Sequence, residues 1–119
     1  FCGFLEDYSD ALALMKSSRV FASPSTREGF GMAALEANAC GLPVVTVKHR
    51  MNAVMDLVTE QTGIVCEPTA EALAKSLCRA MLESDDMRGQ CIEMARKYDW
   101  EEICDRLEKV YEQGSDLLQ

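Results

Sequence analysis

The stretch Val20-Phe-Ala-Ser-Pro-Ser-Thr-Arg-Glu28-Gly-Phe-Gly-Met-Ala-Ala-Leu-Glu36-Ala-Asn-Ala-Cys-Gly41-Leu-Pro-Val-Val-Thr-Val47 reads as strand, glycine loop, helix and strand. Arg19 to Ser23 is the first strand and ends at Pro24, which has no N–H to continue a ladder. Residues 31–40 are rich in small side chains and predict a helix able to approach its sheet closely. Gly41 supplies its C-terminal cap, and Pro43 prevents continuation. Pro43 to Val47 is β-branched and apolar at successive positions, as a strand buried on both faces must be.

Outward from this unit the alternation continues, which predicts an α/β fold: a Rossmann-like parallel sheet with flanking helices. Gly63 to Cys66 is a third strand, closed by Pro68, and Phe1-Cys2-Gly3-Phe4 reads as the end of another. Helices are predicted over 9–17, with Leu12 and Met15 on one face, and over 53–59. Another runs over 70–83 behind Thr69 as N-cap, with Leu73, Leu77 and Met81 inward. Met87, Cys91, Met94 and Tyr98 form the apolar stripe of a further helix, whose start Asp85-Asp86 would cap. Asp99 and Glu102 resemble a capping box for the last helix. There Trp100, Ile103, Cys104, Leu107, Val110 and Tyr111 follow the spacing of a core-facing stripe.

The chain has 119 residues, one domain by length, and a net charge of −8. The charge is −1 over residues 1–59 and −7 over residues 60–119. An acidic chain without a basic stripe argues against nucleic acid as a partner, since that binding rests on neutralising phosphates. It argues equally against docking on anionic membranes through this segment. The run Ala37 to Val47 is too short for a membrane span and is broken by Gly41 and Pro43. Cysteines stand at 2, 40, 66, 78, 91 and 104, with no CxxC pair and one histidine, His49. No metal site is expected from that spacing; reduced, mostly buried thiols of a cytoplasmic protein are. The first residue is Phe1, which reads as a piece of a longer protein.

The chemistry concentrates between Ser25 and Glu36. In an open parallel sheet, ligands bind beyond the carboxyl ends of the strands. Gly29 and Gly31 let main-chain N–H groups approach a ligand, and a helix start adds free N–H groups and positive dipole. These make an anion site suited to a diphosphate. Glu28 lies just before the helix and Glu36 within it. A carboxylate accepts two hydrogen bonds from a vicinal diol, so the pair suits a sugar on one side of the diphosphate and a ribose on the other. An ordinary strand–turn–helix crossover also contains such residues.

Glu28-Gly-Phe-Gly-Met-Ala-Ala-Leu-Glu36-Ala-Asn-Ala-Cys-Gly-Leu-Pro-Val-Val resembles the E-x7-E signature of retaining glycosyltransferases of the GT-B fold, especially family 4. The likeness extends to Phe1-Cys-Gly-Phe-Leu5, Val20 to Ser25, Thr62-Gly-Ile-Val65 and Tyr98-Asp-Trp-Glu101. It implies that residues 1–119 are a single, partial donor-binding domain of the C-terminal lobe. The first strands of that lobe and the whole N-terminal lobe would lie outside the chain. Glu28 would be the catalytic-site carboxylate, touching hydroxyls of the transferred sugar. Gly29, Phe30, Gly31 and Met32 would meet sugar and diphosphate through main-chain N–H groups, and Glu36 would hold the ribose. Phe4 and Leu5 would line the base pocket.

The resemblance implies a nucleoside-diphosphate-sugar as substrate, an acceptor left unnamed, and neither metal nor cofactor. The fragment alone would be inactive. It would self-associate through the open edge of the strand near Val20. The location implied is cytoplasmic, peripheral at a membrane through the missing lobe. An epimerase on the same architecture and a non-catalytic sugar-nucleotide-binding module remain open. Where many relatives carry a Gly-Gly pair and a Glu, this chain has Lys48-His49-Arg50-Met51-Asn52 and Asp56. Lys48 and Arg50 either assist phosphate binding or are solvated, and Arg27 either pairs with Glu28 or faces solvent. His49 reads as a loop residue.

Overall fold

The computed structural model describes residues 2–116. Three strands, β1 (Phe21–Ser23), β2 (Val44–Val47) and β3 (Gly63–Cys66), form one parallel sheet in the order β1-β2-β3. The helices are α1 (Tyr8–Ser17), α2 (Met32–Ala39), α3 (Val54–Leu57), α4 (Ala70–Arg96) and α5 (Trp100–Asp116). The α/β expectation therefore holds. The central strand β2 is buried at every residue, which explains its lack of polar alternation. Its core continues into Ala34, Ala37, Cys40, Leu42 and Val54, with Leu12, Met15 and Phe21 packed against it.

Local chemistry sets the element ends. Asp7 accepts from Ser9 N–H at 2.8 Å and starts α1; that bond holds its carboxyl below the usual range. Thr69 accepts from Ala72 N–H at 3.2 Å and starts α4. Gly41, at φ 81°, ends α2 in the left-handed region that side-chain-bearing residues avoid. Asp99 accepts from Glu101 N–H at 3.0 Å before α5, a simple cap; the expected capping box with Glu102 is not formed, since Asp99 N–H donates to Arg96 O.

Three expectations fail. Residues 2–5 form no strand; Phe1 lies outside the described residues. The helices expected over 70–83 and around 87–98 are one, α4, so Asp85 and Asp86 lie inside a helix rather than at its start. Asp85 instead pairs with Arg19 at 3.0 Å, while Met81 and its neighbour Leu82 are exposed. The α5 stripe is not core: Trp100 is 77% exposed, and Leu107, Val110 and Tyr111 are exposed with it. A helical stripe specifies that a face can be covered, and no element among the described residues covers this one. Half of the cysteines, at 2, 78 and 104, are likewise exposed, and all six thiols are free.

The continuity of α4 has a geometric consequence. Arg19 precedes β1 and donates to Ser84 Oγ at 3.3 Å. Gly41 lies ahead of β2, against the side chain of Arg88. Thr62 precedes β3, and its carbonyl accepts from Cys91 Sγ at 3.7 Å. Ser84, Arg88 and Cys91 share one helix face and span about 10 Å at 1.5 Å per residue. That matches two gaps of about 4.8 Å between three strands. One face of α4 thus closes the N-terminal ends of the whole sheet.

At the opposite end a polar network does the equivalent work. Asn52 is 3% exposed. Its Nδ2 donates to Thr46 Oγ1 at 2.9 Å and to Val47 O at 2.7 Å, and its Oδ1 accepts from Val54 N–H at 3.2 Å. Thr46 Oγ1 donates onward to Ser23 O at 2.9 Å. The carboxyl ends of β1 and β2 are thereby tied to the loop that follows β2.

Asn52→Leu keeps the volume but strands the Val47 carbonyl and the Val54 amide. It is expected to cost about 2–3 kcal/mol in urea unfolding, since each buried unpaired group costs about 1–3 kcal/mol. A loss below about 0.5 kcal/mol would show that the network is replaced by solvent. Burial also pushes the Cys91 thiol up from 9.0 to about 11. The unfolded thiol then ionises first, so this contribution to stability is intact below about pH 9 and declines between pH 9 and 11. Urea titrations from pH 8 to 11 should fall less steeply for Cys91→Ala than for the native chain.

Candidate functional site

The site is built where β1 and β2 end. The loop after β1 and the loop after β2 run side by side and are joined by a parallel bridge between Glu28 and Asn52. Glu28 N–H donates to Met51 O at 2.9 Å, and Ala53 N–H donates to Glu28 O at 2.9 Å. The main chain of Glu28 is therefore fixed on both sides, while its side chain remains half-buried. Asn52, which holds the second loop, thus positions Glu28 indirectly. No spacing or composition signal marked Asn52 or Thr46 for this role.

Gly31 turns the chain into α2. It is the N-cap residue, at φ 88° and ψ 49°, and offers no side-chain cap. A Cβ here would collide with Val54 Cγ2. Both the dihedral and the space require glycine. Among the described residues, no acceptor faces the N–H groups of Gly29, Phe30, Gly31, Met32 or Ala33. Hydrogen bonding resumes at Ala34 and Leu35, which both donate to Gly31 O. Five successive N–H groups without a protein acceptor thus stand at the positive end of a helix.

Glu36 lies one turn further into α2, half-buried. The Glu36 carboxylate near the hydroxyl of Tyr8, the first residue of α1, holds the phenol above its ordinary value. This contact escaped the sequence reading because the two residues are 28 apart and neither belongs to a shared pattern. Leu5 is half-buried, three residues before Tyr8, and Phe4 is 91% exposed. Met32 is exposed. The Phe30 ring meets Tyr98 edge-on, with centroids 5.7 Å apart and an interplanar angle of 69°.

The neighbouring charges are disposed as follows. Arg27, Lys48 and Arg50 are exposed and form no ion pair among the described residues. Arg27 therefore does not pair with Glu28. His49 Nδ1 accepts from Met51 N–H at 3.3 Å, which makes it a turn residue. A cavity of about 480 Å³, lined by Thr62, Gln90 and Lys97 among others, lies at the N-terminal end of β3. It is at the wrong end of the sheet for ligand binding in this fold class. No cluster of metal-binding side chains occurs among the described residues. No helix there is long and apolar enough to cross a membrane.

Known proteins share this geometry. The family model for glycosyl transferases group 1 matches residues 1–98. The chain is 35% identical over 117 residues to phosphatidyl-myo-inositol mannosyltransferase of Propionibacterium freudenreichii, covering 93% of this chain and 30% of that protein. It is 32% identical over 111 residues to D-inositol 3-phosphate glycosyltransferase of Saccharomonospora viridis, covering 88% of this chain and 25% of that protein. Among solved structures it resembles sucrose-phosphate synthase of Thermosynechococcus elongatus. There the TM-score is 0.73 and the identity 29%, over 91% of this chain and 28% of the other. The chain thus spans roughly a quarter to a third of the length of these relatives. With the parallel sheet and the glycine loop between Glu28 and Glu36, these matches place the chain in the glycosyl transferases group 1 family.

Proposed function

We propose that the chain is the donor-binding part of a retaining glycosyltransferase of family 4 that uses a nucleoside-diphosphate-sugar. The observation that carries this reading is the run of five free N–H groups at Gly29–Ala33, flanked by Glu28 and Glu36. A departing nucleoside diphosphate gains negative charge in the transition state. Fixed N–H groups stabilise that charge more than the ground state, and so lower the barrier. They also need no reorganisation, because the Asn52 network and Gly31 already hold the loop.

Each side chain then has a role. Glu28 accepts hydrogen bonds from hydroxyls of the transferred sugar. Gly29, Phe30, Gly31 and Met32 bind the sugar and diphosphate through their amides. Glu36 accepts from the ribose diol, and Leu5 lines the base. Donor preorganisation supplies only one half of a transfer. The acceptor site and the basic residues that neutralise the leaving group belong to the rest of the enzyme, so this chain alone does not turn over substrate. The uncovered α5 stripe and the one-sided pairing of β1 are in keeping with that division. Left alone, the free edge of β1 favours self-association. The location that goes with this reading is the cytoplasm, with the rest of the enzyme at the surface of a membrane.

Titration calorimetry with UDP, GDP and ADP in the polypeptide carrying this chain tests the reading. Glu36→Ala should weaken binding of the preferred diphosphate by about 1.5–3 kcal/mol, the worth of a charged hydrogen bond. Unchanged affinity would reduce Glu36 to a helix-surface residue. Glu28→Ala should spare diphosphate affinity and weaken the matching nucleotide-sugar or its turnover. An effect of Glu28→Ala on melting temperature alone would make it a structural residue.

A further inference from the structure

We propose that Tyr98 is a positioning residue for the glycine loop, acting through the ring of Phe30. The inference rests on the donor-site reading above and deepens it. Phe30 stands between two glycines, one of them at positive φ. Open space lies where a Cβ of Gly29 would be, so no side chain covers the loop on that side. The N–H groups of Gly29 and Phe30 have no protein acceptors among the described residues, so hydrogen bonds hold the loop only at its ends, at Glu28 and at Gly31 O. Between these two anchors, the ring of Phe30 meets Tyr98 edge-on, which restrains the middle of the loop.

Tyr98 suits this task because its own main chain is rigid. It occupies the tight turn between α4 and α5. There Lys97, Tyr98 and Asp99 donate to Met94, Ala95 and Arg96 carbonyls at 3.3, 2.9 and 3.0 Å. The α4 helix is in turn anchored across the sheet by Ser84, Arg88 and Cys91. The ring makes the contact, and no hydrogen bond of the Tyr98 hydroxyl accompanies it among the described residues. An aromatic pair of this geometry contributes up to about one power of ten in an equilibrium constant. Freeing the backbone of one loop residue is an entropic change of similar size. Losing the pair therefore releases the loop without unfolding the sheet.

The test compares Tyr98→Ala with Tyr98→Phe in the polypeptide carrying this chain. Two readouts are needed: backbone 15N order parameters of Gly29 and Phe30 without ligand, and calorimetric affinity for UDP, GDP and ADP. In the native protein the loop order parameters should be near the rigid value of about 0.85. Tyr98→Ala should lower them towards about 0.6 and leave Val44–Val47 unchanged. It should also weaken the preferred diphosphate by about three- to tenfold. Tyr98→Phe, which keeps the ring, should match the native protein in both. Unchanged loop order in Tyr98→Ala, or equal damage from Tyr98→Phe, would overturn the proposal. A mobile loop with unchanged diphosphate affinity would overturn the donor-site reading instead, and Glu36→Ala would then also leave affinity unchanged.

Discussion

The carboxamide of Asn52 is buried where two strands and two loops meet, and it makes three hydrogen bonds there. Through Thr46 it reaches the last carbonyl of β1, and through Val47 the last carbonyl of β2. Its main chain forms the bridge to Glu28. A buried amide is tolerated only when its groups are paired, so the arrangement is close to all-or-none. Because every partner is a strand end or a loop start, the network fixes the loop that leads into the unpartnered N–H groups of Gly29–Ala33.

The two ends of the sheet are stabilised by different means. At the N-terminal ends, one helix face spans all three strands by contact and a few polar bonds. At the carboxyl ends, a polar network holds loops that must stay open to solvent. An apolar seal there would cover the free N–H groups of Gly29–Ala33. The division leaves the site preorganised while the other end carries the packing. On the proposed donor-site reading, local rigidity at such an exposed loop is what electrostatic stabilisation of a leaving group requires.

Most of the framework was legible. Strands ending in proline or followed by it, Thr69 as a cap, and Gly41 after α2 all appear where local chemistry demands them. Gly31 was legible as a loop glycine, although its reason, the methyl of Val54, lies 23 residues away. What was not legible depended on distant partners. Asp85 looked like a helix start because acidic pairs favour N-termini. It lies in mid-helix because the buried face of α4 continues past it, from Ala80 and Ser84 to Met87 and Cys91. Tyr8, Asn52 and Tyr98 acquire their roles from Glu36, Thr46 and Phe30, which no shared sequence pattern links to them.

The amphipathic stripe of α5 marks the limit most clearly. Periodicity establishes that Trp100, Leu107, Val110 and Tyr111 share a face, because 3.6 residues per turn is a local property. Whether that face is covered is a property of the rest of the molecule, and here it is exposed. By itself the sequence determined the α/β class, the strand–loop–helix unit and the residue types of the loop, since each rests on short-range sterics and periodicity. Only the tertiary structure decided that α4 is one helix and that Asn52 ties the loops together. It also decided that five N–H groups stand free, because each of these depends on which atoms long-range packing brings within reach.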